Sequence, residues 1–167
     1  MAMVDANYKF IYADIGCNGR VSGGGVFQNC SLSTALETNS LNIPKPKPFP
    51  GGDKPVPFVV VADDSFPLKP YIMKPYPYKN QPGPNRVYNY RLSRARQIVE
   101  NAFGLIANRF RILRRAILLE PRKVRTVVSA TICLHNFLIT RDSRQIYASS
   151  GVLDKDTEEG ITNGSWR

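Results

Sequence analysis

Three carboxylates are placed where they could bind metal ions. Asp63 and Asp64 end the apolar run PFVVVADD, and 35 residues lie between Asp64 and Glu100. The run at 57–64 is rich in β-branched residues, which predicts a buried strand with both aspartates at its end. Glu100 falls at the border of the apolar stripe of a predicted helix, where it can face a sheet edge. Carboxylate oxygens suit Mg²⁺ or Mn²⁺, and two such ions can clamp the attacking and leaving oxygens of a phosphodiester.

The same carboxylates also have a purely structural interpretation. Glu100 follows Arg96 by four residues, the spacing of an ion pair on one helix face. An aspartate at the end of a strand often starts a turn. On spacing alone the structural interpretation is favoured, and the pattern leaves the metal site open.

The elements that would position these carboxylates can be outlined from periodicity. Residues 8–17 alternate as a strand, MVDA before them is a candidate partner strand, and Ser31 or Ser33 could cap a short helix. The apolar stripe at 89–113 contains Leu92, Ala95, Val99, Ala102, Phe103, Ile106, Phe110 and Leu113.

The remaining segments complete an α/β plan. Residues 44–57 are a proline-rich surface insertion, which suits neither a helix nor a central strand. A second helix is expected from Pro121, with Val124, Val127, Val128, Thr131, Leu134 and Leu138 facing inward. The polar tail at 141–167 is expected to be disordered. The resulting order of strands and helices predicts a mixed sheet with packing helices, incomplete at its N-terminal side.

The net charge points to a polyanionic partner. Lys and Arg number 23 against 13 Asp and Glu, which gives a formal charge of +10. Between Arg86 and Arg115 there are eight arginines, one acid and no lysine. Arginine suits phosphate binding because its guanidinium presents forked donors. No apolar run reaches the length of a membrane span.

Three other features exclude simpler sites. The three cysteines are widely spaced without a CxxC pair, which predicts reduced thiols and no zinc site. His135, the single histidine, is expected to be structural because it has no ligand partner at a suitable spacing. The stretch GCNGRVSGGGVFQNC at 16–30 fits neither a Walker phosphate loop nor a dinucleotide loop.

Three longer strings resemble a known family. VADDSFPLKPYIMKPYP, YNYRLSRARQIVENAFGLIANRFRIL and ATICLHNFL resemble the C-terminal half of PIF/Harbinger-type transposases and their derived nuclease-like proteins, and VDANYKFIYADIGCNGRVSGGGVFQN resembles the segment before it. The resemblance implies a DDE-superfamily endonuclease with an RNase H-like fold at 1–140. It also implies that Glu100 is the final catalytic acid and metal ligand, and that Asp63, or alternatively Asp64, is the acid at the strand end. On this interpretation Asp63 and Glu100 lie close in space.

The sequence departs from that family in two places. Relatives carry an aspartate where this chain has Gly23, in a segment expected to be a loop, and their first catalytic aspartate lies on a strand upstream of VDANYKF. We therefore expect an incomplete domain without its N-terminal strand and without nuclease activity. The alternatives are a non-catalytic DNA-binding or adaptor protein derived from a transposase, or a transposon remnant without function.

The resemblance also implies partners. Mg²⁺ or Mn²⁺ would serve an active relative, DNA would be the substrate, and a companion DNA-binding protein and a nuclear location, with cytoplasm as a second place, are expected. On the predicted helix Arg91, Arg94 and Arg109 point away from the apolar stripe. The residues expected to bind DNA phosphates are Arg86, Arg91, Arg94, Arg96, Arg109 and Arg111.

Overall fold

The chain forms two compact units. The computed structural model describes residues 1–78, 80–141, 151–157 and 160–165. The first unit comprises Met1–Cys17 and Gln97–Arg167, and the second comprises Asn18–Arg96. The helices are α1 (Gly23–Gln28), α2 (Ser31–Glu37), α3 (Gly83–Arg109) and α4 (Pro121–Arg141), with a short 3-10 helix at Arg111–Arg114.

The strands pair only two at a time. They are β1 (Ala2–Val4), β2 (Phe10–Ala13), β3 (Lys47–Pro48), β4 (Pro55–Val56), β5 (Val60–Val61), β6 (Ile72–Met73), β7 (Lys155–Thr157) and β8 (Gly160–Thr162). Within the described residues they make four separate two-stranded sheets. The α/β class predicted from the sequence is therefore confirmed, whereas the single mixed sheet is not what these residues form.

An antiparallel hairpin opens the first unit. Strands β1 and β2 pair with Met3 opposite Tyr12. The carboxylate of Asp5 shapes the turn between them by accepting hydrogen bonds from the main-chain N–H groups of Asn7 (2.8 Å) and Lys9 (3.0 Å). Phe10 of β2 is buried, so the hairpin supplies the core of this unit from one side.

Helix α3 supplies the other side of that core with a different face from the one predicted. Ala102 and Ile106 form a buried cluster with Phe10, as the stripe predicts. Ala95 and Phe103 are exposed, while Asn101 and Leu105 are buried. The buried face is therefore rotated toward Asn101, because that asparagine finds hydrogen-bond partners that make its burial tolerable.

Helix α4 begins at Pro121, as predicted, and its buried centre is polar. Thr131 and His135 are the buried residues of this helix among those described. Leu134 and Phe137 are about half exposed, although periodicity places Leu134 inward. Hydrogen bonding determines which face of α4 is buried, because the side chain of His135 bonds to the main-chain oxygen of Tyr8, two residues before β2 begins.

Strand β5 in the second unit is shorter and more exposed than the sequence predicts. Val60 pairs in parallel with Ile72 of β6. Phe58, Val59 and Val61 are exposed, so the prediction of a buried strand at 57–63 is wrong for this unit. A strand in a two-stranded sheet has little of its surface covered by neighbours. A parallel strand that is buried on both faces needs other elements packed above and below it.

The proline-rich insertion forms a small exposed hairpin. Strands β3 and β4 pair with Lys47 opposite Val56 and Pro48 opposite Pro55. Gly51 adopts a φ of 79° in the connecting turn, a conformation that glycine tolerates without strain. The segment thus contains no helix and only edge pairing, as its proline content predicts.

The tail also contains regular structure in its described part. Strands β7 and β8 pair antiparallel, with Asp156 opposite Ile161. Asp154, just before β7, is buried and bonds to Asn101 of α3 in the same unit. Short polar strands of this kind give almost no periodic signal, so the sequence predicts only a disordered tail here.

Candidate functional site

Asp63 organises a tight turn after β5. One carboxylate oxygen, Oδ1, accepts hydrogen bonds from the main-chain N–H (2.9 Å) and the hydroxyl (2.6 Å) of Ser65. Asp63 is half-buried, while Asp64 is exposed and its main-chain oxygen accepts a bond from Lys74 Nζ (2.6 Å). The structural interpretation of Asp63 as a turn-starting residue is thus correct, and it leaves the second carboxylate oxygen, Oδ2, as the one without a role in this turn.

The glycine stretch packs against this turn as a helix. Gly23, Gly24 and Gly25 form the start of α1, which Ser22 caps by accepting a bond from the N–H of Gly25 (3.2 Å). A Cβ on Gly24 would collide with the main-chain oxygen of Ser65. The glycine at this position therefore permits the close approach of helix and turn, and the expectation of a loop here is wrong.

Gly23 packs against the turn formed by Asp63, Ser65 and Phe66, and we call this contact the corner between Gly23 and Asp63. A Cβ at Gly23 would stand 2.8 Å from the Ser65 hydroxyl oxygen, which itself donates to Asp63. It would also stand 2.9 Å from a ring carbon of Phe66. The two positions that the family resemblance assigns to acids are therefore neighbours within the second unit, and only one of them carries a carboxylate.

Glu100 belongs to the first unit. It is half-buried on α3, next to the buried Asn101. The expected approach of Asp63 to Glu100 remains a prediction, since each residue is described within its own unit. In the described parts of the chain, no three His, Cys, Asp or Glu side chains come together as a group that could hold a metal ion.

The arginines of α3 are divided between the units. Arg86 and Arg91 in the second unit are exposed, and Arg94 and Arg96 are half-buried. Arg94 donates to the hydroxyl of Tyr90 (3.3 Å), and its guanidinium lies 5.4 Å from that ring's centroid. The remaining two predicted DNA contacts, Arg109 and Arg111, are exposed in the first unit.

A neighbouring arginine has a structural task. Arg114 folds back from the 3-10 helix and donates from Nε to the main-chain oxygen of Ala107 (3.1 Å) and from Nη2 to the side chain of Asn108. The carbonyl of Ala107 is one of the last of α3, where intrahelical donors run out. Arg114 therefore closes the helix end.

Three helical asparagines hold distant segments through the same double hydrogen bond. In each case the amide oxygen accepts from the N–H, and the amide nitrogen donates to the C=O, of one partner residue. The pairs are Asn89 with Tyr76, Asn101 with Asp154, and Asn136 with Phe10. The hydrophobic pattern of the helices does not predict this role. Asparagine is disfavoured in helix interiors, so its presence inside the predicted helices was the available sign that these side chains bond to other segments.

His135 completes the attachment of β2 to α4. Its Nε2 lies 2.7 Å from the main-chain oxygen of Tyr8 and donates to it, because a carbonyl oxygen only accepts. Burial lowers the pKa of His135 below its usual value, and the bond to Tyr8 opposes that shift only in part. The residue is fully buried against the Phe10 ring, in line with the structural role predicted for it. In the second unit, burial and the neighbouring Tyr76 raise the pKa of Tyr88.

The chain combines an α/β architecture with strand-end aspartates and an arginine-rich helix. Residues 1–136 match the family of DDE superfamily endonucleases, and the chain belongs to this family. The superfamily has an RNase H-like fold, acts on DNA and generally uses divalent metal ions. No curated protein and no solved structure matches the chain. Among the described helices, none is long and apolar enough to cross a bilayer.

Proposed function

We propose that this chain is a PIF/Harbinger-type DDE endonuclease domain that binds DNA and has lost metal-dependent cleavage. The observation that carries the proposal is the corner formed by Gly23 and the Asp63 turn. A carboxylate at position 23 would lie beside Asp63, and glycine offers no oxygen there.

The remaining acids are few for the chemistry of the superfamily. Divalent ions such as Mg²⁺ or Mn²⁺ require several oxygen ligands, and two ions sharing a site require bridging carboxylates. Asp63 offers one carboxylate with one oxygen already engaged by Ser65. Asp64 and Glu100 are the other acids that the family resemblance assigns to such a site. Loss of the acid at Gly23 therefore removes a ligand that the remaining side chains do not replace.

A plasmid-nicking assay tests the loss of cleavage. Purified full chain is incubated with supercoiled plasmid and either Mg²⁺ or Mn²⁺, beside an active nuclease as positive control. We expect no conversion to the nicked form above the buffer control. Metal-dependent nicking that disappears in Glu100→Gln would show that the carboxylates suffice and would overturn this part of the proposal.

DNA binding has a separate physical basis. Arg86 and Arg91 in the second unit, and Arg109 and Arg111 in the first, present exposed guanidinium groups. Each guanidinium that neutralises a phosphate releases condensed counterions, which favours binding irrespective of metal. Phosphate contacts carry no base information, so this binding is expected to be independent of DNA sequence.

Paired arginine substitutions test which cations bind DNA. We expect Arg86→Gln/Arg91→Gln and Arg109→Gln/Arg111→Gln each to weaken duplex binding severalfold in fluorescence anisotropy. The matched control is Lys45→Gln/Lys47→Gln in the proline-rich hairpin, which removes the same charge from exposed positions. If the lysine pair weakens binding as much as the arginine pairs, net charge rather than these arginines explains the affinity.

The cellular expectations follow from the DNA partner. We propose a nuclear location and association with a companion DNA-binding protein, as the family resemblance implies. A fluorescent fusion checks the first, and a nuclease-treated co-purification checks the second. A fusion confined to the cytoplasm would contradict the nuclear proposal.

A further inference from the structure

An exposed tyrosine ring is held against helix α3 in the second unit. The side chain of Asn89 accepts a hydrogen bond from the N–H of Tyr76 (2.8 Å) and donates one to its C=O (3.1 Å). The hydroxyl of Tyr88 donates to the main-chain oxygen of Lys74 (3.1 Å), and the rings of Tyr88 and Tyr76 meet edge to face at 5.2 Å between centroids. These contacts fix Tyr76 relative to α3, although the residue is 47% exposed.

A second exposed ring belongs to the same helix. Tyr90 directly follows Asn89 on α3 and is 46% exposed. The guanidinium of Arg94, one turn further along, lies 5.4 Å from the centroid of this ring and donates to its hydroxyl (3.3 Å). A cation within about 6 Å of an aromatic ring is attracted to the face of the ring. Arg94 therefore restrains the Tyr90 ring and places positive charge beside it.

The chain around both rings is basic. Segment 65–96 contains seven Lys and Arg residues and no Asp or Glu. Arg86 and Arg91, which precede and follow Tyr90 on α3, are exposed. Positive charge beside exposed aromatic rings suits a polyanion that carries flat groups, and nucleobases on a phosphate backbone are such groups. A duplex keeps the faces of its bases inside the stack, whereas a single strand presents them to the protein.

We propose that Tyr76 and Tyr90 form a stacking platform for the unpaired bases of single-stranded DNA. The neighbouring arginines hold phosphates of the strand, and the two rings stack on its bases. Because both rings are already restrained, little side-chain freedom is lost when a base stacks on them. Every base has a flat face, so the platform selects no base sequence. This inference rests on the DNA binding proposed above and adds the form of DNA that the second unit prefers.

A strand without bases separates stacking from phosphate binding. Anisotropy at low salt compares a thymidine oligonucleotide of about 12 nucleotides with an abasic strand of the same length. Both strands carry the same number of phosphates. We expect the full chain to bind the thymidine strand about fivefold or more tightly than the abasic strand. Equal affinities for the two strands would overturn the stacking platform.

Substitutions that leave the charge unchanged identify the rings. Tyr76→Ala and Tyr90→Ala are each expected to weaken binding of the thymidine strand by about fivefold, because each removes one stacking surface. Tyr90→Phe keeps the ring and should bind as the unaltered chain does. The matched control is Phe49→Ala, which removes a ring that is 68% exposed in the proline-rich hairpin. A loss in Phe49→Ala as large as in the tyrosine variants would contradict the assignment to Tyr76 and Tyr90.

Photo-crosslinking gives a test that needs no substitution. A single strand with iodouracil in place of thymine is irradiated in complex with the full chain, and the crosslinked residues are identified by mass spectrometry. We expect crosslinks at Tyr76 and Tyr90, because a base stacked on a ring lies in contact with it. Crosslinks found only elsewhere in the chain would overturn the inference.

The outcomes separate this inference from the proposed DNA binding. If neither duplex nor single-stranded DNA binds, the proposed DNA binding fails, and the stacking platform fails with it. If the duplex binds while the thymidine and abasic strands bind equally, only the stacking platform is overturned. The platform is also overturned if Tyr76→Ala and Tyr90→Ala weaken duplex and single-strand binding by equal factors, since phosphate contacts to a duplex do not use the rings.

Discussion

Asparagine side chains carry much of the tertiary structure of this protein at the residue scale. In a helix interior asparagine usually competes with the backbone and lowers stability. Asn89, Asn101 and Asn136 instead pair with the backbone of a residue outside their helix. Of these, Asn136 spans the greatest sequence distance, because its partner Phe10 lies 126 residues earlier.

Replacement of Asn136 should therefore destabilise the first unit. Asn136→Ala leaves the N–H and C=O of the buried Phe10 without these partners, at a cost of about 2–4 kcal/mol for the two groups. The measurement is urea unfolding followed by circular dichroism. Ser129→Ala, an exposed change on the same helix, is expected to alter stability by less than about 0.5 kcal/mol. Equal stability of the two variants would contradict a supporting role for the asparagine.

His135 should make stability depend on pH. Its pKa is lowered in the folded state by burial, so the unfolded chain takes up the proton first as pH falls. Stability should be complete above about pH 6.5, the usual value for histidine, and should decrease as pH falls from there through the folded-state pKa. His135 is the single histidine of the chain. Its replacement by Gln should therefore make the free energy of unfolding nearly independent of pH between about pH 5 and 7. A slope that persists in His135→Gln would assign the titration to another group.

At the element scale, helix α1 and the turn after β5 behave as one packed corner. Gly24 sits against the main-chain oxygen of Ser65, and Phe27 of α1 meets the ring of Phe66 at 5.7 Å between centroids. The helix is only six residues long, so this packing stabilises it more than its own hydrogen bonds do. The role of the glycines is therefore to let α1 lie close to the turn after β5, and not to bind phosphate.

Substitutions at two adjacent glycines test whether stability depends on the close approach of α1 to the turn or on the backbone flexibility of glycine. Gly24→Ala must displace the main chain of Ser65 and should destabilise the chain by about 2 kcal/mol or more. Gly25→Ala meets a side-chain methyl group of Val21 at 2.9 Å, which must move aside, and the Ser22 hydroxyl oxygen at an ordinary contact distance of 3.5 Å. Because no main-chain atom has to move, the better helix propensity of alanine should make this change neutral or stabilising by up to about 1 kcal/mol. Thermal unfolding of both variants gives the comparison. Similar losses in both would mean that the turn contact is unimportant.

The elements with a strong local signal were predictable, and those fixed by distant partners were not. Pro121 marks the start of α4 because its missing N–H and fixed φ suit a first helical position. The rotation of the α3 core toward Asn101 could not be predicted, because it depends on Asp154, 53 residues later. The contact between Gly23 and the Asp63 turn is not visible in the periodicity of the chain, and only the family resemblance, which assigns acids to both positions, indicates that they meet.

At the scale of the whole molecule, the two units differ in how the chain builds them. The second unit is one continuous segment, Asn18–Arg96, whereas the first joins Met1–Cys17 to the segment that starts at Gln97. The hydrogen bonds of α4 with Tyr8 and Phe10 join these two segments, which lie far apart in the sequence. Assembly of the first unit therefore requires non-local contacts, which are slow to form.

The net charge of the whole chain predicts how the proposed DNA binding depends on salt. With a formal charge of +10 and exposed arginines in both units, binding should be governed by phosphate contacts. We expect affinity to fall by about tenfold or more between about 50 and 200 mM KCl, with equal affinities for duplexes of unrelated sequence. Loss of two phosphate contacts in Arg86→Gln/Arg91→Gln should reduce the slope of log affinity against log salt by up to about 2, while the Lys45→Gln/Lys47→Gln control keeps it. Affinity that is insensitive to salt, or confined to one DNA sequence, would show that base contacts rather than these arginines hold the DNA.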